Sequence, residues 1–345
     1  MKIRDKLFGG EYDFLSKVKN HRLGSLFPSS GSFTLNGRSA FYLIIKELKI
    51  KKIRSIYVPY LICNSLIEIL KKEKFNVNYY EIDKNFNEKL VKINKNCALL
   101  KIHYFGLKKS RSFNKRLKNK NLLIIEDFSH YLPDKKTLES NRSFKFMSLR
   151  KLGLYPIGGW TNINQKEKIR KSNTFKQFID LKRKKSKYLN KNIINRNLKF
   201  EISYLKRFDR FEKLFSNNYK MGTIRKECMS SLISNNINKI RKIRKKNWLT
   251  ANKILKKSSL GIFKSTNIDT YFSYLIFIKN RDGIIKLLRK NDIYCPIYWK
   301  LNNKLPKNSF SRFCSEKMIS VPIDQRYSYK KIRYISNIIK NCLQY

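Results

Sequence analysis

Between residues 36 and 165 the chain alternates short apolar runs with stretches of helical spacing, and few architectures accept that alternation. The runs are IRSIYVP (53–59), NVNYYEI (76–82), ALLKIHYFG (98–106), NLLIIED (121–127) and FKFMSL (144–149), each rich in β-branched or aromatic residues. Runs of this length and composition read as buried strands. SAFYLIIKEL (39–48) and NSLIEILKKE (64–73) lie between them and carry apolar residues at helical spacing. Strands alternating with helices at this period predict an α/β protein built on a doubly wound, mostly parallel sheet.

Residues 166–258 read differently. They show no strands, and their apolar residues fall at helical spacing in a basic background, as in ISYLKRFDRFEKLF (202–215), which predicts long helices packed outside the sheet. A second, smaller α/β unit follows. It opens with a strand in TYFSYLIFIKN (270–280) and a helix in RDGIIKLLRKND (281–292), continues through IYCPIYW (293–299) and KMISVPID (317–324), and closes with a helix in SYKKIRYISNIIKN (328–341). The expected division is a large domain over 1–258 and a small C-terminal domain over 259–345.

A chain of 345 residues, 41% hydrophobic with 23 Phe and 20 Tyr, can fill such a core, which excludes a disordered protein. Its 78 Lys and Arg against 24 acids give a formal net charge of +54, an imbalance that suggests nucleic acid or an anionic membrane as partner. A compositional origin competes with that reading, because Lys, Asn and Ile are over-used even in plain helices and loops. The excess is uneven: residues 165–260 hold 29 Lys and Arg and 6 acids. Charge alone leaves the two readings level. Six scattered cysteines form no C-x-x-C and none is spaced with a histidine for zinc, so no metal site is expected and the thiols read as reduced, cytosolic ones. The opening MKIRDKLFGGEYDFL lacks the apolar core of a signal peptide, and no segment approaches 18 uninterrupted apolar residues. The expectation is a cytoplasmic protein with no membrane span.

Three short stretches carry chemistry. In NGRSAF (36–41), Gly37 lets the backbone approach a ligand and Ser39 stands at a helix start, where free N–H groups favour a phosphate; helix capping explains the same residues equally well. In IIEDFSHYL (124–132), an apolar strand ends on two acids, and His130 follows Asp127 by three. A carboxylate partly buried there needs a cationic partner. In FMSLRKLGLYPIGGW (146–160), Lys151 has apolar flanks downstream, Ser148 precedes it by three, and Gly158 and Gly159 follow in a turn. Lysine suits carbonyl chemistry because its neutral amine forms a Schiff base, although a lysine among apolar residues more often only lays its stem along them.

In this order the stretches resemble the DegT/DnrJ/StrS family of pyridoxal-phosphate-dependent aminotransferases, fold type I enzymes that act mostly on sugar nucleotides. The resemblance runs over nearly the whole chain, through GGEYD (9–13), GRSAF (37–41), YVPYLICNSL (57–66), YYEID (79–83), LLKIHYFG (99–106), IIEDFSH (124–130), SLRKLGLYPIGG (148–159), FSYLIFIKNRDGIIKLLRKNDI (272–293) and VPID with the final helix. It implies that Lys151 binds pyridoxal 5'-phosphate through a Schiff base and later shuttles a proton as general base and acid. Asp127 would pair with the protonated pyridine nitrogen, and His130, at a position the family fills with Gln or His, would reach the ring hydroxyl. Gly37, Arg38, Ser39 and Ser148 would hold the phosphate.

Two positions depart from the family pattern. The family usually writes S-F-x-x-x-K before the lysine, whereas Ser148 is three residues away, and the position that often carries an aromatic ring over the cofactor is Cys63, for which Tyr60 would substitute. His103 matches a family position but reads as structural. The implied activity is transfer of an amino group from an amino acid, glutamate in the first instance, to a keto group of a nucleotide-linked sugar in polysaccharide or lipopolysaccharide biosynthesis, by a homodimer. Arg225 and Lys226 beside Gly222 are candidates for the acceptor's phosphates. The alternatives are another pyridoxal phosphate reaction such as sugar dehydration and, in a different class, a basic nucleic-acid-binding protein, for which no binding motif is present.

Overall fold

The computed structural model describes residues 7–10, 26–28, 30–89, 93–107, 122–155, 157–165, 173–190, 197–220, 223–224, 237–256, 268–299 and 305–343. In chain order the first half holds β1 (Phe8–Gly9), β2 (Ser32–Thr34), α1 (Gly37–Ile50), β3 (Ser55–Pro59), α2 (Asn64–Lys72), β4 (Asn76–Ile82), β5 (Glu88–Lys89), β6 (Cys97–Ile102), β7 (Leu123–Asp127), α3 (Lys135–Glu139), β8 (Phe144–Ser148) and β9 (Gly159–Thr161). The second half holds α4 (Asn173–Leu189), α5 (Leu198–Asn217), β10 (Thr223–Ile224), α6 (Ile237–Leu255), β11 (Ser273–Phe277), α7 (Arg281–Lys290), β12 (Ile293–Tyr294), α8 (Phe310–Lys317), β13 (Met318–Pro322) and α9 (Tyr329–Cys342).

The expected α/β class holds. Nine strands form one mixed sheet in the order β10-β2-β9-β8-β7-β6-β3-β4-β5. The five central strands β8, β7, β6, β3 and β4 run parallel, and the rims add antiparallel pairs. All six residues of β6 are buried, Lys101 included, as a central strand of such a sheet requires. In sheets of this kind ligands bind beyond the carboxyl ends of the strands. Here β7 ends on Asp127 and β8 on Ser148.

Three runs end or pair differently from the reading of the sequence. The run 98–106 stops being a strand at Ile102, because Phe105 and Gly106 take left-handed backbone (φ 50° and 78°) and the Gly106 carbonyl accepts from the backbone of Asp269 and Thr270. A side chain at Gly106 would come within 2.8 Å of the Tyr271 nitrogen, so the turn needs glycine. Among its described residues the helical stretch after residue 166 contains one short strand, β10, which extends the sheet edge by pairing with β2. IYCPIYW contributes only Ile293–Tyr294 as strand, with Pro296 two residues further on, and that strand pairs in parallel with β1 from the other end of the chain.

The C-terminal elements centre on β11 and β13, which pair antiparallel over five residues. The expected boundary at 258/259 lies outside the described residues. The helix before it, α6, packs on α9 and β11, and the Asn247 amide donates to the carbonyls of Ile323, Asp324 and Tyr327. As expected, α4 and α5 pack outside the sheet: Phe178, Ile179 and Leu181 meet Tyr204 and Phe215 in a cluster of their own, which reaches the sheet at Leu35 and Ile157.

Candidate active site

Asp127 leaves the last position of β7 as a buried carboxylate. Its Oδ1 accepts from the Ser129 backbone N–H at 2.8 Å, and the Ser129 hydroxyl in turn accepts from the Ser148 N–H at 3.0 Å. Ser129 thereby ties the ends of β7 and β8 together. Burial raises the Asp127 carboxyl above its ordinary value, and the Lys151 charge and the bonds from Ser129 oppose that rise without cancelling it.

Lys151 stands in the turn between β8 and β9. The turn is held from the C-terminal side: Arg244 donates to the Leu152 carbonyl, and Gln325 accepts from Arg244 while donating to the Gly153 carbonyl at 2.9 Å. Lys151 is half-buried, with Nζ 5.9 Å from the ring centres of both Tyr298 and Trp299. Those rings also enclose His130. The imidazole stacks on Trp299 (5.2 Å, 2° between planes) and on Phe272 (4.5 Å, 17°), and among the described residues neither ring nitrogen has a hydrogen-bond partner. Burial, reinforced by the Lys151 charge, holds His130 well below the usual histidine range, so the ring is neutral at pH 7.

The start of α1 abuts the same strand ends. Asn36 caps the helix by accepting from the Ser39 N–H at 3.0 Å, while its own Nδ2 is buried without a partner among the described residues. A Cβ on Gly37 would lie 3.2 Å from the Ser148 Cβ, and a Cβ on Gly159 would lie 2.5 Å from the Asn36 carbonyl oxygen. These two glycines let the helix start, β8 and β9 meet. Ser39 is buried beside the cap. Arg38 departs from its expected direction: its guanidinium bonds Ser216 and pairs with Glu212 at 3.1 Å, both on α5. The other oxygen of Glu212 pairs with Arg150 at 3.2 Å. One carboxylate thus joins α1 to the residue before Lys151.

The structure brings Asp127, His130 and Lys151 together and sets Gly37 beside Ser148. Other candidates have partners of their own, and His103 lies beside Asp127, whose carbonyl accepts its backbone N–H at 3.0 Å. Tyr60 stacks on Tyr79 (5.2 Å, 10°), and Cys63 contacts the Ser65 hydroxyl at the start of α2. His103 bonds Glu126 at 3.0 Å; burial would raise the Glu126 carboxyl, but the bonds from His103 and Ser143 outweigh it and hold that group at about 2. Gly222, Arg225 and Lys226 lie outside the described residues, as do residues 11–13 of GGEYD. The reading of the sequence passed over Ser129, Arg150, Glu212, Arg244, Gln325, Tyr298 and Trp299. Only Ser129 had a local signal, a serine two residues after an aspartate, the spacing of a side-chain-closed turn.

No protein-family model and no curated protein sequence matches the chain. Solved structures do. The Helicobacter pylori aminotransferase PseC, involved in the biosynthesis of pseudoaminic acid, is 15% identical over 98% of this chain and 100% of its own, with a TM-score of 0.62. A DegT DnrJ EryC1 StrS aminotransferase from Brucella abortus is 15% identical over 90% of this chain and 85% of its own, with a TM-score of 0.58. A NifS-like protein is 14% identical over 92% and 83%, at 0.53. At these identities the likeness is one of fold, the fold type I architecture of pyridoxal phosphate enzymes.

Proposed function

We propose that the chain is a pyridoxal-phosphate-dependent aminotransferase that moves an amino group from an amino acid, with glutamate as donor, to a keto group of a nucleotide-linked sugar. The observation that carries the reading is the meeting of Asp127, His130 and Lys151 at the carboxyl ends of β7 and β8, in a fold shared with sugar aminotransferases. The reading includes a homodimer and a role in polysaccharide or surface-glycan biosynthesis, as the family resemblance implies.

The residues fit the cofactor. His130 offers two buried nitrogens with no partner among the described residues, Asn36 offers a buried amide N–H₂, and the start of α1 offers main-chain N–H groups to a phosphate. Lys151, Asp127 and His130 would hold the ring end. Ser39, Ser148 and the main chain of Gly37 and Arg38 would hold the phosphate end. When bound, pyridoxal phosphate supplies an electron sink that lets the carbon bearing the amino group lose its proton. Asp127 does the electrostatic work: a carboxylate whose ionised form is disfavoured by burial gains from a cation such as a protonated ring nitrogen. Neutral His130 can donate from one nitrogen and accept on the other, which suits a phenolic oxygen. The Lys151 amine takes up the proton and returns it, and the rings of Tyr298 and Trp299 shield it from water on one side.

The test is direct. Protein loaded with pyridoxal phosphate should show a visible absorbance band that borohydride bleaches, with the reduced label on the peptide containing Lys151, and glutamate should shift that band. A label on another lysine, or no band, refutes the assignment.

A further inference from the structure

The proposed activity leaves the concentration of positive charge on the outer helices unused. Together α4 and α5 carry 11 Lys and Arg and 4 acids. Two of the three acids on α5 are engaged, Glu201 by the Tyr188 hydroxyl and Glu212 by Arg38 and Arg150. Along the outer face of α5 three large aliphatic side chains follow at i, i+4 and i+7: Leu198, Ile202 and Leu205, exposed by 63, 54 and 57%. Such a row on a water-facing helix has no packing role in the described chain. Beside it runs a shallow groove of about 500 Å³ lined by Ile202 with Lys199, Ser203, Lys206, Arg207 and Arg210.

We propose that this face of α5 docks on an anionic bilayer surface, with Leu198, Ile202 and Leu205 dipping into the headgroup layer and the lysines and arginines of the groove meeting lipid phosphates. A row of aliphatic residues flanked by cations is the chemistry of interfacial helices. Nucleic acid fits less well. Single strands bind basic surfaces by stacking bases on aromatic rings, and here the rings point inward: Tyr204 and Phe215 are buried, and Phe211 and Phe215 pack on Phe178 of α4. A second copy fits less well too. A two-fold contact would set this basic groove against or beside its own image.

The full chain is mixed with phosphatidylglycerol/phosphatidylcholine vesicles, with phosphatidylcholine vesicles and with a random DNA duplex, each at low and physiological salt. Sedimentation with the anionic vesicles alone is expected, weakening as salt screens the charges. L198Q/I202Q/L205Q and R207E/R210E should each reduce vesicle binding by about tenfold or more, with melting temperatures near that of the parent chain, since every altered position is exposed. Absence of binding to the anionic vesicles overturns the proposal. So does vesicle binding that neither variant changes. DNA binding tighter than vesicle binding and lost in R207E/R210E would reassign the groove to nucleic acid. A shift from dimer to monomer in the glutamine variant, with vesicle binding intact, would reassign the face to a second copy.

Discussion

Asp127→Asn tests the buried centre by charge alone, because the amide oxygen can still accept the Ser129 N–H. Burial makes the Asp127 carboxyl keep its proton to a higher pH in the folded chain than its ordinary value of 3.8. Between that value and the folded one, the folded state binds more protons than the unfolded state, so stability falls as pH rises, and above the folded value the whole penalty is present. The variant lacks the penalty. A swap that relieves an active-site strain of this kind is worth about 0.5–2 kcal/mol. With an unfolding entropy of about 2.1 cal/mol/K per residue, 345 residues convert that to a rise of about 1–3 °C in melting temperature. The assay is thermal unfolding of cofactor-free protein from pH 8 downward. The gain should be largest at neutral pH and shrink toward pH 4, while turnover of the loaded variant falls by about two orders of magnitude or more. A variant equally or less stable at neutral pH would show that Lys151 already compensates the carboxylate, and the argument for a missing cation would fail.

Gly159→Ala should be more damaging than a methyl group suggests. The added carbon would lie 2.5 Å and 2.6 Å from backbone atoms of Asn36 and 2.8 Å from the Gly37 nitrogen, so we expect a loss of about 1–3 kcal/mol by chemical denaturation together with weakened cofactor binding. Glu73→Gln probes acid stability: burial would raise the Glu73 carboxyl, but bonds from Lys49, Tyr219 and Lys220 hold it at about 2 against an ordinary 4.5. That stabilisation, about 1–2 kcal/mol once solvent screening at the exposed Lys220 is allowed for, is complete above pH 4.5 and lost as pH falls toward 2, so variant and parent unfolding curves should converge at the acid end. Arg38→Ala should lower thermal stability through the lost contacts to Glu212 and Ser216, yet change cofactor affinity by less than about tenfold, since any residue supplies the main-chain N–H there. Collapse of cofactor affinity with unchanged stability would return the guanidinium to the phosphate.

Much of the large sheet was legible because its signal is local. The run NVNYYEI is the strand β4 residue for residue, marked by its β-branched and aromatic residues although only Tyr80 and Ile82 are buried, and FKFMSL, a nearly continuous buried run, loses only its last residue. The run 98–106 was misjudged because what ends it is not local: the left-handed turn at Phe105 and Gly106 exists to meet residues 269 and 270. The strand β10 was invisible for a similar reason. Two residues, Thr223 and Ile224, carry no period of their own, and they are strand only because Phe33 and Thr34 lie alongside.

The site divides along the same line. Residues at strand ends and helix starts take their place from the backbone, so Asp127, Ser148 and Gly37 could be located from spacing, and the structure puts them at one end of the sheet. Where a long side chain points is decided by partners that spacing does not encode. Arg38 turns toward Glu212, 174 residues away, because a carboxylate on α5 offers more to a guanidinium than water does at a half-buried position. Glu212 pairs with Arg150 as well, so a helix read from the sequence only as packed outside the sheet in a basic background reaches the residue next to Lys151. The same helix therefore has two faces with separate chemistry: a carboxylate turned inward that braces the two flanks of the site, and a row of cations and aliphatic side chains turned outward that no catalytic step requires.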